Sequence, residues 1–364
     1  MNSNSLGHIF TITVFGESHG TGIGVIIDGV PAGLPIDVAE IQEFVNLRRP
    51  GTDDIVTQRQ EEDKVEILSG VFNGRTTGAP LTLFARNMDV DSRHYELYRR
   101  VPRPGHADYP AKIKYKGYND WRGSGRFSGR ITLAYVMAGA IAKKLLSDAL
   151  GIEVMAYTKQ IGSVKIDSID IDKIRKNRYR NYVRCPDPKV AMKMREEIVT
   201  AKLNGDSVGG VIECIVDNVP VGIGEPIFNS VESELSKAMF SIPAVKGIEF
   251  GLGFGFANSW GSEVNDEYAI RNGKIVARTN NSGGILGGLT TGMPIVFRVV
   301  LKPTASIAKV QKSVDMEEMK ETELVVKGRH DPCIAPRAVP VVEGLTAVVL
   351  TDLALQGGVI KKVL

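Results

Sequence analysis

The stretch SGRITLAYVMAGAIAKKLLSDAL, residues 128–150, is the longest helix candidate in the chain. It is apolar on nearly every side, and Gly151 follows it in the position of a C-terminal cap. A helix without a polar face must be covered all round, so this stretch predicts a core helix buried between layers. A final apolar helix is predicted over residues 339–355.

The segments around these two helices alternate between strand and helix patterns. Residues rich in valine, isoleucine, phenylalanine and threonine predict strands at 9–15, 24–27, 64–72, 80–84, 152–159, 208–216 and 295–301. Helical spacing of apolar residues predicts helices at 37–47, 188–203 and 230–240. Since no linker interrupts the chain, we expect one α+β domain over residues 1–364, with the long helices sandwiched between antiparallel sheets.

The composition limits the class of protein. The 364 residues are 43% hydrophobic and 24% charged, which is typical of a globular protein, and the net charge of +3 argues against a nucleic-acid partner. The three cysteines have no metal-ligand spacing, so we expect no metal site and reduced thiols in the cytoplasm. The N-terminus has no signal-peptide pattern and the apolar run 131–142 is too short to span a bilayer, so no membrane association is expected.

Three polar clusters, at residues 15–20, 103–108 and 327–333, place histidines and acids among glycines and prolines. Histidine is the side chain best suited to exchange protons at neutral pH. His19 and His106 are therefore candidate acid–base groups, although a loop histidine bonded to backbone explains either of them alone. Clusters spread over the whole chain predict a composite active site, and hence an enzyme.

Arginines recur in and beside these clusters, and glycine-rich stretches lie near several of them. A guanidinium group binds phosphate and carboxylate through two parallel hydrogen bonds, so a small polyanionic substrate is predicted. The glycine-rich segments 123–130 and 281–288 and the segment 302–306 suit phosphate binding. None of them has the spacing of a Walker loop or of a dinucleotide-binding turn.

Together these motifs resemble the chorismate synthase family. The segments 16–20, 48–51, 103–108, 125–130, 244–249, 283–288, 302–304 and 328–337 follow the family order over almost the whole chain. The resemblance implies conversion of 5-enolpyruvylshikimate 3-phosphate to chorismate and phosphate, an anti 1,4-elimination in the shikimate pathway of aromatic amino-acid biosynthesis. It also implies reduced FMN without net redox change, a carbon–oxygen lyase acting on a phosphate ester, and a homotetramer.

The resemblance also implies roles for individual residues. His106 would keep the reduced flavin in its working protonation state, and His19, with Ser18 beside it, would protonate the departing phosphate. Asp331 would assist transfer of the ring proton, with Ser128 as a relay. The substrate anions would be held by Arg48, Arg49, Arg130 and Arg337. The implied FMN contacts are Arg126, Phe127, Ser128, Pro243, Ala244, Gly287, Lys302, Pro303, Thr304, Ala305, Ser306 and Arg329.

The chain departs from the family pattern at three points. Phe127 stands where a serine is usual and Pro243 where an asparagine is usual, and each change removes a polar side chain. Asp53 and Asp54 occupy a position where many relatives carry an arginine linked to NADPH. This acidic pair would repel the nucleotide. We therefore expect an external flavin reductase or electron donor, with Arg48 as the remaining contact for NADPH.

Two alternatives stay open from the sequence. A flavin oxidoreductase acting on a phosphorylated acid would need the same anion-binding groups. A non-enzymatic nucleotide- or RNA-binding protein would use the arginines for phosphates, but it would be expected to carry a higher net charge.

Overall fold

The computed structural model describes residues 3–49, 61–167, 169–328 and 331–364. In chain order its strands are β1 (Ser5–Leu6), β2 (Thr11–Gly16), β3 (Gly22–Asp28), β4 (Val65–Ser69), β5 (Val71–Phe72), β6 (Arg75–Thr76), β7 (Leu81–Arg86), β8 (Glu153–Ile161), β9 (Val164–Lys165), β10 (Gly210–Asp217), β11 (Val245–Phe250), β12 (Tyr268–Arg271), β13 (Lys274–Ala277), β14 (Ile285–Leu286), β15 (Leu289–Thr290), β16 (Ile295–Leu301), β17 (Gln311–Asp315) and β18 (Lys320–Leu324). Its α-helices are α1 (Val38–Asn46), α2 (Asp108–Lys114), α3 (Thr132–Leu150), α4 (Ile171–Asn177), α5 (Pro188–Leu203), α6 (Val231–Phe240), α7 (Gly261–Val264) and α8 (Ala335–Gln356).

Most of the strands belong to two antiparallel sheets. The first sheet has the strand order β1-β2-β3-β7-β4, and the second has the order β11-β16-β10-β8-β9. Strands of each sheet alternate between buried and more exposed residues, as in β7 and β16. This alternation gives each sheet one apolar face to cover with helices. The predicted α+β class is confirmed.

The two long apolar helices lie against these sheets and against each other. Helix α3 packs on β2, β3 and β7, and helix α8 packs on β8 and β10. The helices meet at glycines, since a Cβ atom added to Gly139 would come within 2.2 Å of the Cα atom of Gly344. Gly151 ends α3 in the left-handed conformation at φ +67°, as the sequence predicts for a glycine cap.

Helix α8 is long and apolar enough to cross a bilayer by length and composition, with a mean hydropathy of 1.7 over its most apolar window. That whole window is buried inside the protein. Contact with α3, α6 and the second sheet therefore accounts for its apolar character. It is the one helix of this kind among the residues that the structure describes.

The region from 86 to 126 contains helix α2 and several short 3₁₀ turns. The hairpin β17–β18 holds part of this region in place. Ser313 donates a hydrogen bond to the Pro102 carbonyl at 2.6 Å, and the Met316 amide donates to the Arg100 carbonyl at 3.0 Å. The hairpin thus fixes the start of the 103–108 segment. It was not predicted, because apolar and polar residues alternate only weakly along its strands.

Candidate active site

One cavity of about 1340 Å³ brings the separate polar clusters together. Its walls come from the turn after β2, the segment before α3, the loop before β11, the segment after β16 and the start of α8. Most of the residues predicted for the site line it: His19, Arg48, His106, Arg126, Phe127, Ser128, Arg130, Pro243, Ala244, Lys302, Pro303, Thr304, Ala305, Ser306, Asp331 and Arg337.

Three predicted residues do not line this cavity. Ser18 is buried behind His19, with its amide donating to the Gly125 carbonyl at 3.2 Å. Arg49 donates to the Glu61 carbonyl at 3.0 Å. Gly287 lies in the turn between β14 and β15. Arg329 and the acidic pair Asp53 and Asp54 fall outside the described residues.

His19 is fixed by contacts from two other segments. Its Nδ1 atom lies 2.8 Å from the Ser92 hydroxyl, and its ring packs edge-on against Tyr95 with centroids 5.3 Å apart. The other edge of the ring lies on Gly123, where an added Cβ atom would come within 2.2 Å of the His19 ring. Gly123 also has φ +57°, so both the close contact and the backbone conformation require glycine there.

His106 is oriented by a carboxylate. Its Nδ1 atom lies 2.7 Å from Asp108 Oδ1, and Asp108 also accepts hydrogen bonds from Arg103 at 2.8 Å. Burial raises the pKa of Asp108, but the hydrogen bonds and charges of Arg103 and His106 outweigh burial and hold this pKa well below its usual range. Because an ionised carboxylate can only accept hydrogen bonds, Nδ1 of His106 carries the proton in this contact.

Arg103 connects the 103–108 segment to the rest of the wall. It is 5% exposed, and its guanidinium donates to Ser124 at 2.8 Å and to Ser306 at 3.2 Å. It also lies over the Tyr98 ring, 4.7 Å from the centroid. The sequence identified Arg103 as part of a motif without a stated role. Its contacts show that it joins His106 to the 302–306 segment.

The arginines of the opposite wall are held by carboxylates. Arg130 pairs with Asp63 and donates to Asn87 at 2.9 Å, while Arg48 lies 3.7 Å from the same Asp63 carboxylate. Arg48 also donates to Thr132 at 2.9 Å. Asp63 and Asn87 were not predicted, since neither lies in a glycine-rich motif, and strand pairing alone brings β7 and its following residues to this wall.

Arg337 pairs with Asp331 at the third side of the cavity. Burial lowers the pKa of Arg337, but the neighbouring Asp331 carboxylate outweighs burial and raises it, so this side chain is a cation at neutral pH. Arg337 also donates to the Arg48 carbonyl at 3.4 Å, which joins the start of α8 to the segment after α1. The three arginines and two histidines therefore surround one space.

Three polar atoms in the wall are buried without a hydrogen-bond partner among the described residues: Arg130 Nη2, Asp63 Oδ2 and Thr304 Oγ1. Nearly all buried polar atoms of native proteins are hydrogen-bonded, because an unmade bond costs about 1–3 kcal/mol. Two donors and one acceptor in a cavity rich in arginine indicate a ligand with anionic oxygens and at least one donor group.

Comparison with known proteins agrees with this chemistry. The family model for chorismate synthase matches residues 10–355. The chorismate synthase of Korarchaeum cryptofilum is 53% identical over 352 residues, which cover 97% of each chain. That of Dehalococcoides mccartyi strain BAV1 is 52% identical over 362 residues, covering 100% of this chain and 99% of the relative. A crystal structure of chorismate synthase superimposes with a TM-score of 0.77 at 32% identity, covering 96% of this chain and 93% of that one.

Proposed function

This chain belongs to the chorismate synthase family, and on that premise we propose that it converts 5-enolpyruvylshikimate 3-phosphate to chorismate and phosphate. The reaction is an anti 1,4-elimination, which makes the enzyme a carbon–oxygen lyase of the shikimate pathway. The observation that carries the proposal is the single cavity in which two histidines face three arginines. The substrate has one phosphate and two carboxylates, and each is a partner for a guanidinium group.

Arg48, Arg130 and Arg337 hold these anionic groups in the proposal. Each arginine already contacts a carboxylate of the protein, Asp63 or Asp331, which keeps the guanidinium groups in fixed positions. A group that is held in place before binding loses less conformational entropy when the ligand arrives. Arg49 does not line the cavity and its Nε donates to the Glu61 carbonyl, so we propose no direct substrate contact for it.

The wall formed by residues 302–306 fits the phosphate of FMN. Thr304 offers a buried hydroxyl that has no partner among the described residues, and Lys302 and Ser306 lie beside it in the cavity wall. Phe127 offers a ring where the family pattern has a serine, which suits packing against a flat cofactor. When bound, the reduced flavin supplies transient electron density to the reacting ring without being consumed.

The proton steps are assigned to side chains that line the cavity or support it. His19, supported by Ser18 and Ser92, donates a proton to the departing phosphate. Asp331, with Ser128 as a relay, assists removal of the ring proton on the other side. His106, whose Nδ1–H is held by Asp108, presents its second nitrogen to the cofactor.

We further propose a single domain in which α3 and α8 are sandwiched between the two sheets, because one hydrophobic core contains residues of both sheets and both helices. The expected assembly is a homotetramer in the cytoplasm, and light scattering of the active enzyme would test it. A monomer mass at micromolar concentration with full activity would refute the tetramer.

The proposed electron donor is an external reductase, dithionite or light. The motivation is the acidic pair Asp53 and Asp54, which would repel NADPH near Arg48. The test is an aerobic mixture of enzyme, FMN, substrate and NADPH without another reductase. No sustained chorismate formation is expected, and sustained formation would disprove the need for an external donor.

The reaction itself is tested anaerobically with reduced FMN and 5-enolpyruvylshikimate 3-phosphate. Phosphate and chorismate should appear in equal amounts, and one flavin should support many turnovers. The flavin oxidoreductase remains the second candidate, and it would oxidise one flavin for each substrate without releasing phosphate. That result would contradict the proposed elimination.

A further inference from the structure

Asp63 combines three features that seldom occur together. It is 2% exposed, it lines the cavity, and its backbone has φ +49°, a left-handed conformation that is uncommon outside glycine. Unusual backbone conformations of this kind are retained where the surroundings hold a residue in place, and they concentrate at functional sites. The position of the Asp63 carboxylate is therefore tightly set.

The two oxygens of this carboxylate differ in their surroundings. Oδ1 pairs with Arg130 Nη1, whereas Oδ2 lies 3.7 Å from Arg48 Nη1 and accepts no hydrogen bond from any described residue. If Asp63 served only to hold the two arginines, both oxygens would be expected to accept from them. One acceptor is therefore left for a donor from elsewhere.

Arg130 shows the complementary feature. Its Nη1 is occupied by Asp63 and its Nε by Asn87 at 2.9 Å, but its Nη2 is buried and donates to no described residue. Glu61 Oε2 lies 3.9 Å from Nη2, which is too long for a hydrogen bond. One ion pair between two cavity-lining residues thus contains an acceptor and a donor that no described residue satisfies.

We propose that the Asp63–Arg130 pair recognises a hydroxyl group that neighbours an anionic oxygen on the substrate ring. Asp63 Oδ2 accepts from the hydroxyl, and Arg130 Nη2 donates to the anion beside it. This inference rests on the proposed function, because 5-enolpyruvylshikimate 3-phosphate has one free ring hydroxyl. That hydroxyl is on C4, next to the carbon that bears the phosphate.

The charge of Asp63 also excludes an anionic group at the position proposed for the hydroxyl. A second anion placed against Asp63 Oδ2 would be repelled, while a hydroxyl both donates to the carboxylate and leaves the arginine charge for the phosphate. Asp63 is therefore a specificity-determining residue for a hydroxylated ring. A substrate analogue without the hydroxyl would leave a buried carboxylate oxygen unsatisfied, which binding sites penalise strongly.

The test compares two ligands on the enzyme loaded with oxidised FMN, which cannot turn over. Calorimetry measures binding of 5-enolpyruvylshikimate 3-phosphate and of the same molecule lacking the C4 hydroxyl. The wild type should bind the deoxy compound about 10- to 100-fold more weakly, the range for a hydrogen bond to a charged group. In Asp63→Ala the ratio of the dissociation constants of the two ligands should fall to near one.

Two further variants keep the result interpretable. Asp63→Asn preserves the size of the side chain if Asp63→Ala fails to fold, and it should also discriminate less than the wild type. Asn87→Ala removes another hydrogen bond of Arg130. It should therefore weaken the binding of both ligands alike and leave the ratio of their dissociation constants unchanged.

Two results overturn the inference. One is equal binding of both ligands by a wild type that still converts the substrate, and the other is wild-type discrimination in the Asp63 variants. A wild type that neither binds nor converts the substrate would instead refute the proposed function together with this inference.

Discussion

Two of the buried clusters of charge in the described part of the chain differ in how completely their hydrogen bonds are satisfied. In the cavity cluster, formed by Arg48, Arg130 and Asp63, one donor and one acceptor have no described partner. The core cluster, formed by Lys143, Arg178 and Glu343, lies where α3 and α8 meet the second sheet. In both clusters a fully buried carboxylate contacts two cations, so burial of a carboxylate alone does not distinguish a ligand site from a structural one.

Every oxygen of Glu343 is used within the protein. Oε1 accepts from the Ala156 amide at 2.8 Å and from Arg178 at 3.0 Å, while Oε2 pairs with Lys143. Burial raises the pKa of Glu343, but Lys143 and Arg178 outweigh burial and hold it below its usual range. The core cluster therefore has no bond left for a ligand. Between these two clusters, unfilled hydrogen-bonding capacity at the charged groups is what distinguishes the cavity cluster.

The largest expected effect is on catalysis. His106→Ala and His19→Ala should each reduce turnover by roughly two to four orders of magnitude, which is typical for loss of an acid–base group. Binding of substrate and FMN should persist, because the arginines and the 302–306 segment are unchanged. Steady-state assays with reduced FMN measure the loss of turnover. If either variant kept near-wild-type turnover, the histidine that it replaces would have only a structural role.

The next effect is on stability and belongs to the core cluster. Glu343→Ala leaves Lys143 and Arg178 buried without their partner, so the free energy of unfolding should fall by about 3–5 kcal/mol. Urea unfolding followed by circular dichroism measures the change. The exposed pair Arg93–Asp91 provides the control, since Asp91→Ala should change stability little. A loss no larger than that of the control would contradict a structural role for the core cluster.

A smaller effect is expected on substrate affinity. Arg130→Lys keeps the positive charge but removes the planar donor group, so the substrate should bind about 10- to 100-fold more weakly. Arg178→Lys makes the same change in the core cluster and should leave substrate affinity unaltered. Calorimetry on the enzyme with oxidised FMN measures substrate affinity in both variants. Equal losses of affinity would show that the two clusters do not differ in substrate binding.

The smallest effect concerns pH. The folded-state pKa of Asp108 is depressed, so its ionisation stabilises the fold above the ordinary pKa of about 3.9, and this stabilisation is lost as the pH falls below that value. The difference in unfolding free energy between wild type and Asp108→Asn should therefore shrink as the pH falls below about 4. Urea midpoints between pH 3 and 7 measure it. A difference that does not change with pH would show that the Asp108 charge does not stabilise the fold.

The sequence predicted those parts of the molecule that depend on local pattern. Helix α5 and strand β16 occupy the predicted ranges, and Gly151 caps α3 as expected. Hairpins such as β12–β13 were missed because their residues are largely exposed and lack an apolar face. The site clusters were found because glycines and prolines mark them, whereas Asp63 carries no such mark. Its role arises from contacts between segments that only the fold brings together.

The difference between the two charge clusters is tested most directly by one paired measurement. Asp63→Asn and Glu343→Gln make the same chemical change, and both substrate affinity and the unfolding midpoint are measured for each. We expect Asp63→Asn to weaken substrate binding, and Glu343→Gln to lower the unfolding midpoint with substrate affinity retained. The opposite pattern, or equal effects of both variants on substrate binding, would contradict the account.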